Sequence, residues 1–248
     1  MRVFVTGATG FIGTAVVKGL ISSGHNVIGL ARSDKSVATL AELGAEAQRG
    51  SLEDLESLRS GAAAADGVIH LAFNNGFGDF HTIISNDLQA VHTIGDVLVG
   101  TGKPFVSTSV TTMLLSKGQP ATEDMEGLEG TPGFPRSAAE NAVIAFAKRG
   151  VRSSVVRLAP CVHDVSRQGF ASALAHIARE KGVSAYVDGG TNLLETISKC
   201  KTGETTAIGA FHGFELLVEK NFLGVNYLIL RGKTEYKMEL STSPVGNM

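Results

Sequence analysis

Cysteine is nearly absent. The 248 residues hold two, Cys161 and Cys200, far apart in the chain. That excludes a disulfide framework or a zinc pattern and fits a reducing compartment. An excess of charge of one sign is also missing. Lys and Arg number 22 against 24 Asp and Glu, a formal net charge of -2, with both signs mixed along the chain. No basic block points to nucleic acid and no cationic amphipathic stretch to a membrane surface. No apolar run is long enough to span a bilayer. No leader precedes the first strand-like residues, RVFV. The expectation is a cytoplasmic protein with a small-molecule partner. Tyrosine is scarce too, with Tyr186, Tyr227 and Tyr236 alone. What is plentiful is apolar side chain, 43% of the residues. That composition supports one large domain, or one domain with a small lobe.

The first two thirds alternate strand and helix patterns. RVFV, NVIGLA, AEAQR, GVIHLAF, PFVST and SSVVRLA read as strands. Between them, Ile12, Val16, Val17, Leu20 and Ile21 share one helical face, and Ile84, Leu88, Val91 and Leu98 recur at helical spacing. SVATLAEL, LEDLESLRSG and SAAENAVIAFAKRG read as further helices, with Ser51 and Asp54 as a capping-box-like start for the middle one. Strands separated by helices imply right-handed crossovers. The fold expected is α/β, a Rossmann-type doubly wound parallel sheet with helices on both faces. The strand runs do not alternate cleanly, which suits a sheet buried on both sides. The stretch Ser116–Pro135, rich in Gly, Pro and acids, reads as a long loop bordering a site. Residues 1–192 form the expected Rossmann-like domain, and 193–248 a divergent, irregular C-terminal segment. There FELLVEKNF reads as a short helix and VNYLILRGKTEYKMEL as a hairpin.

The most informative stretch is Thr6-Gly7-Ala8-Thr9-Gly10-Phe11-Ile12-Gly13, a G-x-x-G-x-x-G between a strand and a helix. Gly7 permits the tight turn, Gly10 lets the backbone approach a pyrophosphate, and Gly13 lets the helix pack close to the strand. The helix N-terminus then offers N–H groups and partial positive charge to the anion. The second strand ends in Leu30-Ala31-Arg32-Ser33, with no acid at its tip. Arg32 is either a solvated surface residue or the partner of a 2'-phosphate. The second reading makes NADP(H) the preferred cofactor, with NAD(H) as the other choice.

TGATGFIG at the start, Arg32 after the second strand, HLAF after the fourth, STS after the fifth and RLAPCVHD after the sixth resemble the short-chain dehydrogenase/reductase superfamily. More narrowly, they resemble its extended and atypical members, the NAD-dependent epimerase/dehydratase proteins, over about residues 1 to 192. The resemblance implies that Gly7, Gly10, Phe11, Ile12 and Gly13 hold the cofactor phosphates. Arg32 would lie by the adenosine ribose, Ser51 and Leu52 beside the adenine, and Leu71, Ala72 and Phe73 under the cofactor. Ser109, with Thr108 next to it, falls near the family's catalytic Ser or Thr. The resemblance also implies pairing into a homodimer through helices corresponding to 81–102 and 137–149.

The family's Tyr-x-x-x-Lys is missing. Counting back from Glu140 puts Arg136 at the Lys position and Pro132 at the Tyr position, which resembles an atypical subgroup with His-x-x-x-Arg. A second register puts Phe134 at the Tyr position, again without a hydroxyl. Arg136 cannot donate the proton, because guanidinium does not deprotonate. It could stabilise negative charge as a fixed cation, the proton then coming from Ser109, a water or His163. The plainer reading is a solvated charge before a helix, with Ser137 and Glu140 as a capping box. His70 reads as a packing or hydrogen-bonding residue, and Cys161 as a small apolar one.

Three functions stay open. The first is an NADP(H)-dependent oxidoreductase acting on a small carbonyl or alcohol, with Arg136 and Ser109 as the acting residues. The second is a non-catalytic NADP-binding sensor. The third is a nucleotide-sugar epimerase or dehydratase.

Overall fold

The computed structural model describes residues 1–74, 79–114, 125–129, 131, 133–159, 161–163 and 170–185, together with the short strands 196–198 and 229–231. Pro132, most of the 115–132 loop and most of 193–248 lie outside the described residues. So do the expected helix FELLVEKNF and all of the expected hairpin except Ile229–Arg231.

Six strands follow the expected order: β1 (Arg2–Thr6), β2 (Asn26–Ala31), β3 (Glu46–Arg49), β4 (Gly67–His70), β5 (Pro104–Val110) and β6 (Arg152–Leu158). They alternate with α1 (Phe11–Ser22), α2 (Asp34–Glu42), α3 (Leu55–Ala63), α4 (Phe80–Leu98) and α5 (Ser137–Phe146). The sheet order is β3-β2-β1-β4-β5-β6, all parallel, closed by β9 (Ile229–Arg231) antiparallel to β6. A two-stranded parallel sheet joins β7 (Cys161–His163) to β8 (Thr196–Ser198). The helix α6 (Phe170–Lys181) was not expected from the sequence.

Strand alternation divides the core into two layers. Val3, Val5, Ile69 and Val106 face Val16, Val17, Leu20 and Leu40 of α1 and α2. Phe4, Val68, Phe105 and Val155 face Leu58 of α3, Ala90 and Ile94 of α4, and Val143 and Phe146 of α5. Because the chain crosses from one face to the other between β3 and β4, the strand order reverses between β1 and β4. The loops leaving those two strands open a crevice at their C-terminal ends, where doubly wound sheets bind ligands.

Two local expectations change. Residue 54, not 51, caps α3: the Asp54 carboxylate accepts from Ser57 N, while Ser51 Oγ accepts from the Glu53 and Asp54 amides. The capping box before α5 does not form either, since α5 has no side-chain cap and Glu140 is turned into the protein.

Candidate functional site

The glycine turn sits at the crevice. Gly7 has φ +68°, a conformation that glycine adopts without strain, and a Cβ there would lie 2.7 Å from Ala72 N. The turn is therefore pressed against the residues leaving β4. Leu71 N donates to Thr6 O at 3.2 Å, and Ala72 N donates to Thr6 Oγ1 at 3.2 Å. A Cβ on Gly13 would lie 2.0 Å from the Gly7 carbonyl oxygen, so α1 approaches the turn as closely as two backbones can. Gly10 precedes α1 with no side-chain cap, and the first turn carries no acid. This end of α1 suits an anion on both counts. Gly7, Gly10, Phe11, Ile12 and Gly13 are thus brought together as expected, with Leu71, Ala72 and Phe73 along the opposite wall.

Leu52, Glu53, Asn74, Asp79, Thr82, Ile83, Asn86 and Asp87 line a pocket of about 290 Å³. Leu52, one of the two residues expected beside the adenine, lines it, and the Ser51 hydroxyl accepts from the backbone of Glu53. The Ser51 hydroxyl keeps the Glu53 carboxyl below its usual range, helped by its own amide, by the Arg32 charge and by Asn86, against partial burial. Arg32 therefore already acts on an acid through its charge, as a minor cause. Its neighbour Asp34 is paired with Arg49.

The nicotinamide side, expected at the ends of β4 and β5, is built on buried charge. Arg136 ends a short 3-10 turn, Phe134–Arg136, and its side chain is 12% exposed. Its guanidinium stands 4.0 Å over the Phe73 ring, donates to Thr108 O at 3.0 Å and lies 3.7 Å from Asp87 Oδ2. The plainer reading of Arg136 as a solvated charge therefore fails. Burial pushes its guanidinium below the usual range, while Asp87 and Glu140 hold it up. Asp87 continues inward, its Oδ1 3.2 Å from His70 Nε2, and His70 Nδ1 is 2.7 Å from Thr6 Oγ1. A neutral imidazole satisfies every partner. Ala72 N–H donates to Thr6, Thr6 O–H to His70 Nδ1, and His70 Nε2–H to the carboxylate.

Ser109 is buried in β5, and its hydroxyl has Met113 Sδ at 4.0 Å. The structure does not bring it to Arg136. Thr108, one residue earlier, reaches the His70 carbonyl instead at 3.3 Å. His163 lies in β7 with its side chain outside the described residues. Beneath the site, Arg157 Nε lies 3.2 and 3.1 Å from the two Glu140 oxygens, and its Nη2 2.5 Å from Oε1 and 2.8 Å from Met125 O.

Asp87 and His70 are the members that the sequence reading missed or discounted. The buried face of α4 runs through Ile83, Asp87, Ala90, Val91, Ile94 and Leu98. It is one residue round from the stripe through Ile84 and Leu88. Placing that face correctly would have exposed an acid in the middle of an apolar stripe, which is the available signal. Among the described residues, no group of three or more His, Cys, Asp or Glu could hold a metal ion, and no helix is long and apolar enough to cross a membrane.

The family model for the NAD dependent epimerase/dehydratase family matches residues 3–161. An uncharacterized protein of Schizosaccharomyces pombe is 39% identical over 92% of this chain and 74% of its own length. One of Saccharomyces cerevisiae is 37% identical over 92% and 74%. A solved structure of MoeE5 with UDP-glucuronic acid and NAD is 26% identical, covers 90% of this chain and 74% of its own, and superposes with a TM-score of 0.67.

That comparison corrects the cofactor expectation. The related structure carries NAD, not NADP(H), and so does MoeE5 with UDP-glucose. Around Arg32, the Glu53 carboxylate draws on the charge of the arginine, which leaves less of it for a 2'-phosphate. Arg32 is therefore not the mark of NADP(H). A match over 3–161, with relatives that align along nearly the whole chain, is decisive for kinship: the chain belongs to the NAD-dependent epimerase/dehydratase family.

Proposed function

We propose that this chain binds NAD(H) across the C-terminal ends of β1 and β4 and uses it on a nucleotide sugar, interconverting a secondary alcohol and a ketone. The single observation that carries the reading is the Gly7 turn clamped onto Ala72, with an uncapped, acid-free α1 behind it. Gly7, Gly10, Phe11, Ile12 and Gly13 hold the pyrophosphate. Ser51 and Leu52 flank the adenine, Arg32 lies outside it with its charge turned to Glu53, and Leu71, Ala72 and Phe73 run beneath. The nucleotide-sugar class is supported by MoeE5, whose structures hold UDP-glucose or UDP-glucuronic acid with NAD.

Bound NAD supplies a hydride acceptor, and its reduced form a hydride donor. The protein must place the reacting carbon and move the hydroxyl proton. Arg136 is the fixed cation beside the developing alkoxide, locked by Phe73, Thr108 O and Asp87. It does not carry the proton. Ser109 could take part only as a relay that accepts this proton while handing its own to water, and its side chain must leave Met113 to reach a substrate.

Incubation with NAD+ and UDP-glucose or UDP-glucuronic acid, followed by proton NMR of the sugar, tests this reading. A new sugar epimer or keto-sugar supports it. Turnover of simple ketones with NADH alone would move the substrate class to small carbonyls. Tight NADH binding with no turnover of either class would make the protein a non-catalytic NAD binder.

A further inference from the structure

At the ends of β4, β5 and β6, four charged side chains among the described residues are buried or nearly so: Arg136, Asp87, Arg157 and Glu140. The last two pair with side-chain exposures of 0% and 1%. Arg136 lies 3.7 Å from Asp87, whose side chain is 4% exposed. These four charges sum to zero. Asp87 is the carboxylate paired with Arg136, and Glu140, engaged bidentately by Arg157, adds a smaller pull. The balance matters because of what the crevice holds. A nicotinamide ring carries one positive charge when oxidised and none when reduced. A doubly wound sheet places one half of a dinucleotide over β1–β3 and the other over β4–β6, where these charges lie.

We propose that Asp87 sets the relative affinity of the site for oxidised and reduced NAD by cancelling the buried charge of Arg136. The inference rests on the NAD(H) reading above. Asp87 is a positioning residue in this scheme. It touches Arg136 and His70, holds the guanidinium over Phe73, and keeps the local field near neutral. Without its charge, Arg136 opposes the oxidised ring and leaves the reduced ring untouched. Without Arg136, Asp87 favours the oxidised ring. A purely structural role for the pair predicts something different: loss of either partner loosens the site and weakens both forms of the cofactor together.

The experiment measures dissociation constants for NAD+ and NADH by calorimetry. It uses the full chain and its Asp87→Asn, Arg136→Gln and double variants, with circular dichroism to confirm folding. In Asp87→Asn the ratio of the NAD+ constant to the NADH constant rises roughly tenfold, the scale of one unit charge acting within a Debye length at moderate effective dielectric. In Arg136→Gln it falls by a comparable factor, and in the double variant it returns to the wild-type ratio. A ratio that stays within about twofold of wild type in folded single variants overturns the proposal. So does equal weakening of both ligands. If Asp87→Asn fails to fold, Arg136→Gln and the double variant decide the question by the same criterion. A wild-type chain that binds neither form sinks this inference together with the NAD(H) reading. One that binds both with an unmoved ratio in the variants sinks this inference alone.

Discussion

Around β1 and α1, the end of the sheet is shaped by missing side chains; around β5 and α5, it is shaped by buried charges. In the first region, Gly7 and Gly13 let backbone meet backbone, and the neighbours are Val3, Val5, Val16 and Val17. In the second, Arg157 and Glu140 are buried bidentately, and Arg136, Asp87 and His70 form a polar chain that ends at Thr6. The first region presents an open helix end to an anion. The second holds a fixed cation and carboxylate at the ends of β4 and β5. One half is built to bind and the other to hold charge in place, and substitutions distinguish the two.

The largest effect is expected at Glu140. Glu140→Gln removes the carboxylate that engages buried Arg157 bidentately, a loss of about 3–5 kcal/mol in unfolding free energy. Replacing both, Glu140→Leu with Arg157→Met, should recover most of that loss, because an apolar pair of similar volume avoids both desolvation costs. Urea unfolding of the two variants checks this. A double variant as unstable as the single would mean that the pair does more than satisfy itself, for instance by anchoring Met125 through its carbonyl.

Next is Gly13→Ala. One methyl, placed 2.0 Å from the Gly7 oxygen, must push α1 away from the turn. Overpacking of this kind costs about 1–3 kcal/mol. The sharper consequence is functional: displacement of the α1 N-terminus should abolish NADH binding measured by calorimetry, while the far-UV spectrum persists. Retained affinity would show that the turn is structural only, and would remove the contrast between the two regions.

The same contrast governs how much could be read from sequence. Glycine spacing, strand runs and helix periodicity are local, so the turn and the first six strands and five helices were legible. The charged half was not. Asp87 and His70 are 17 residues apart and meet only because α4 packs behind the end of β4. Glu140 offered a local partner, Ser137, and took a distant one, Arg157, since a buried bidentate pair outcompetes a cap on an already buried helix start. Arg32 invited a local reading as well. The acid that engages it, Glu53, follows β3, one strand further from the centre of the sheet.

A smaller effect is expected at the α3 cap. Asp54→Ala removes the acceptor for Ser57 N and should cost about 1 kcal/mol. That lowers the melting temperature by about 2–4 °C for a chain of this size, with NADH affinity unchanged. A change in affinity would place α3, and not just the Ser51–Leu52 turn before it, within the binding region.

The smallest effect is at Arg32. The side chain is exposed, and its charge is a minor contributor to the lowered Glu53 carboxyl, behind the Ser51 hydroxyl and the local amide. Arg32→Ala should therefore shift NADH affinity less than about fivefold, the range of an exposed ionic contact. Glu53 remains ionised in the variant, since Ser51 and Asn86 still hold it. Its carboxyl lies below 4.5 in the folded chain, so its stabilisation is present above that value and is lost as pH falls through the lower, folded one. Removing Arg32 should narrow that window slightly at its acid end. Parallel titrations with NADPH decide what Arg32 does. Comparable small changes for both cofactors fit an arginine that answers Glu53. A collapse of NADPH affinity with NADH unchanged would return Arg32 to a 2'-phosphate and uncouple it from Glu53.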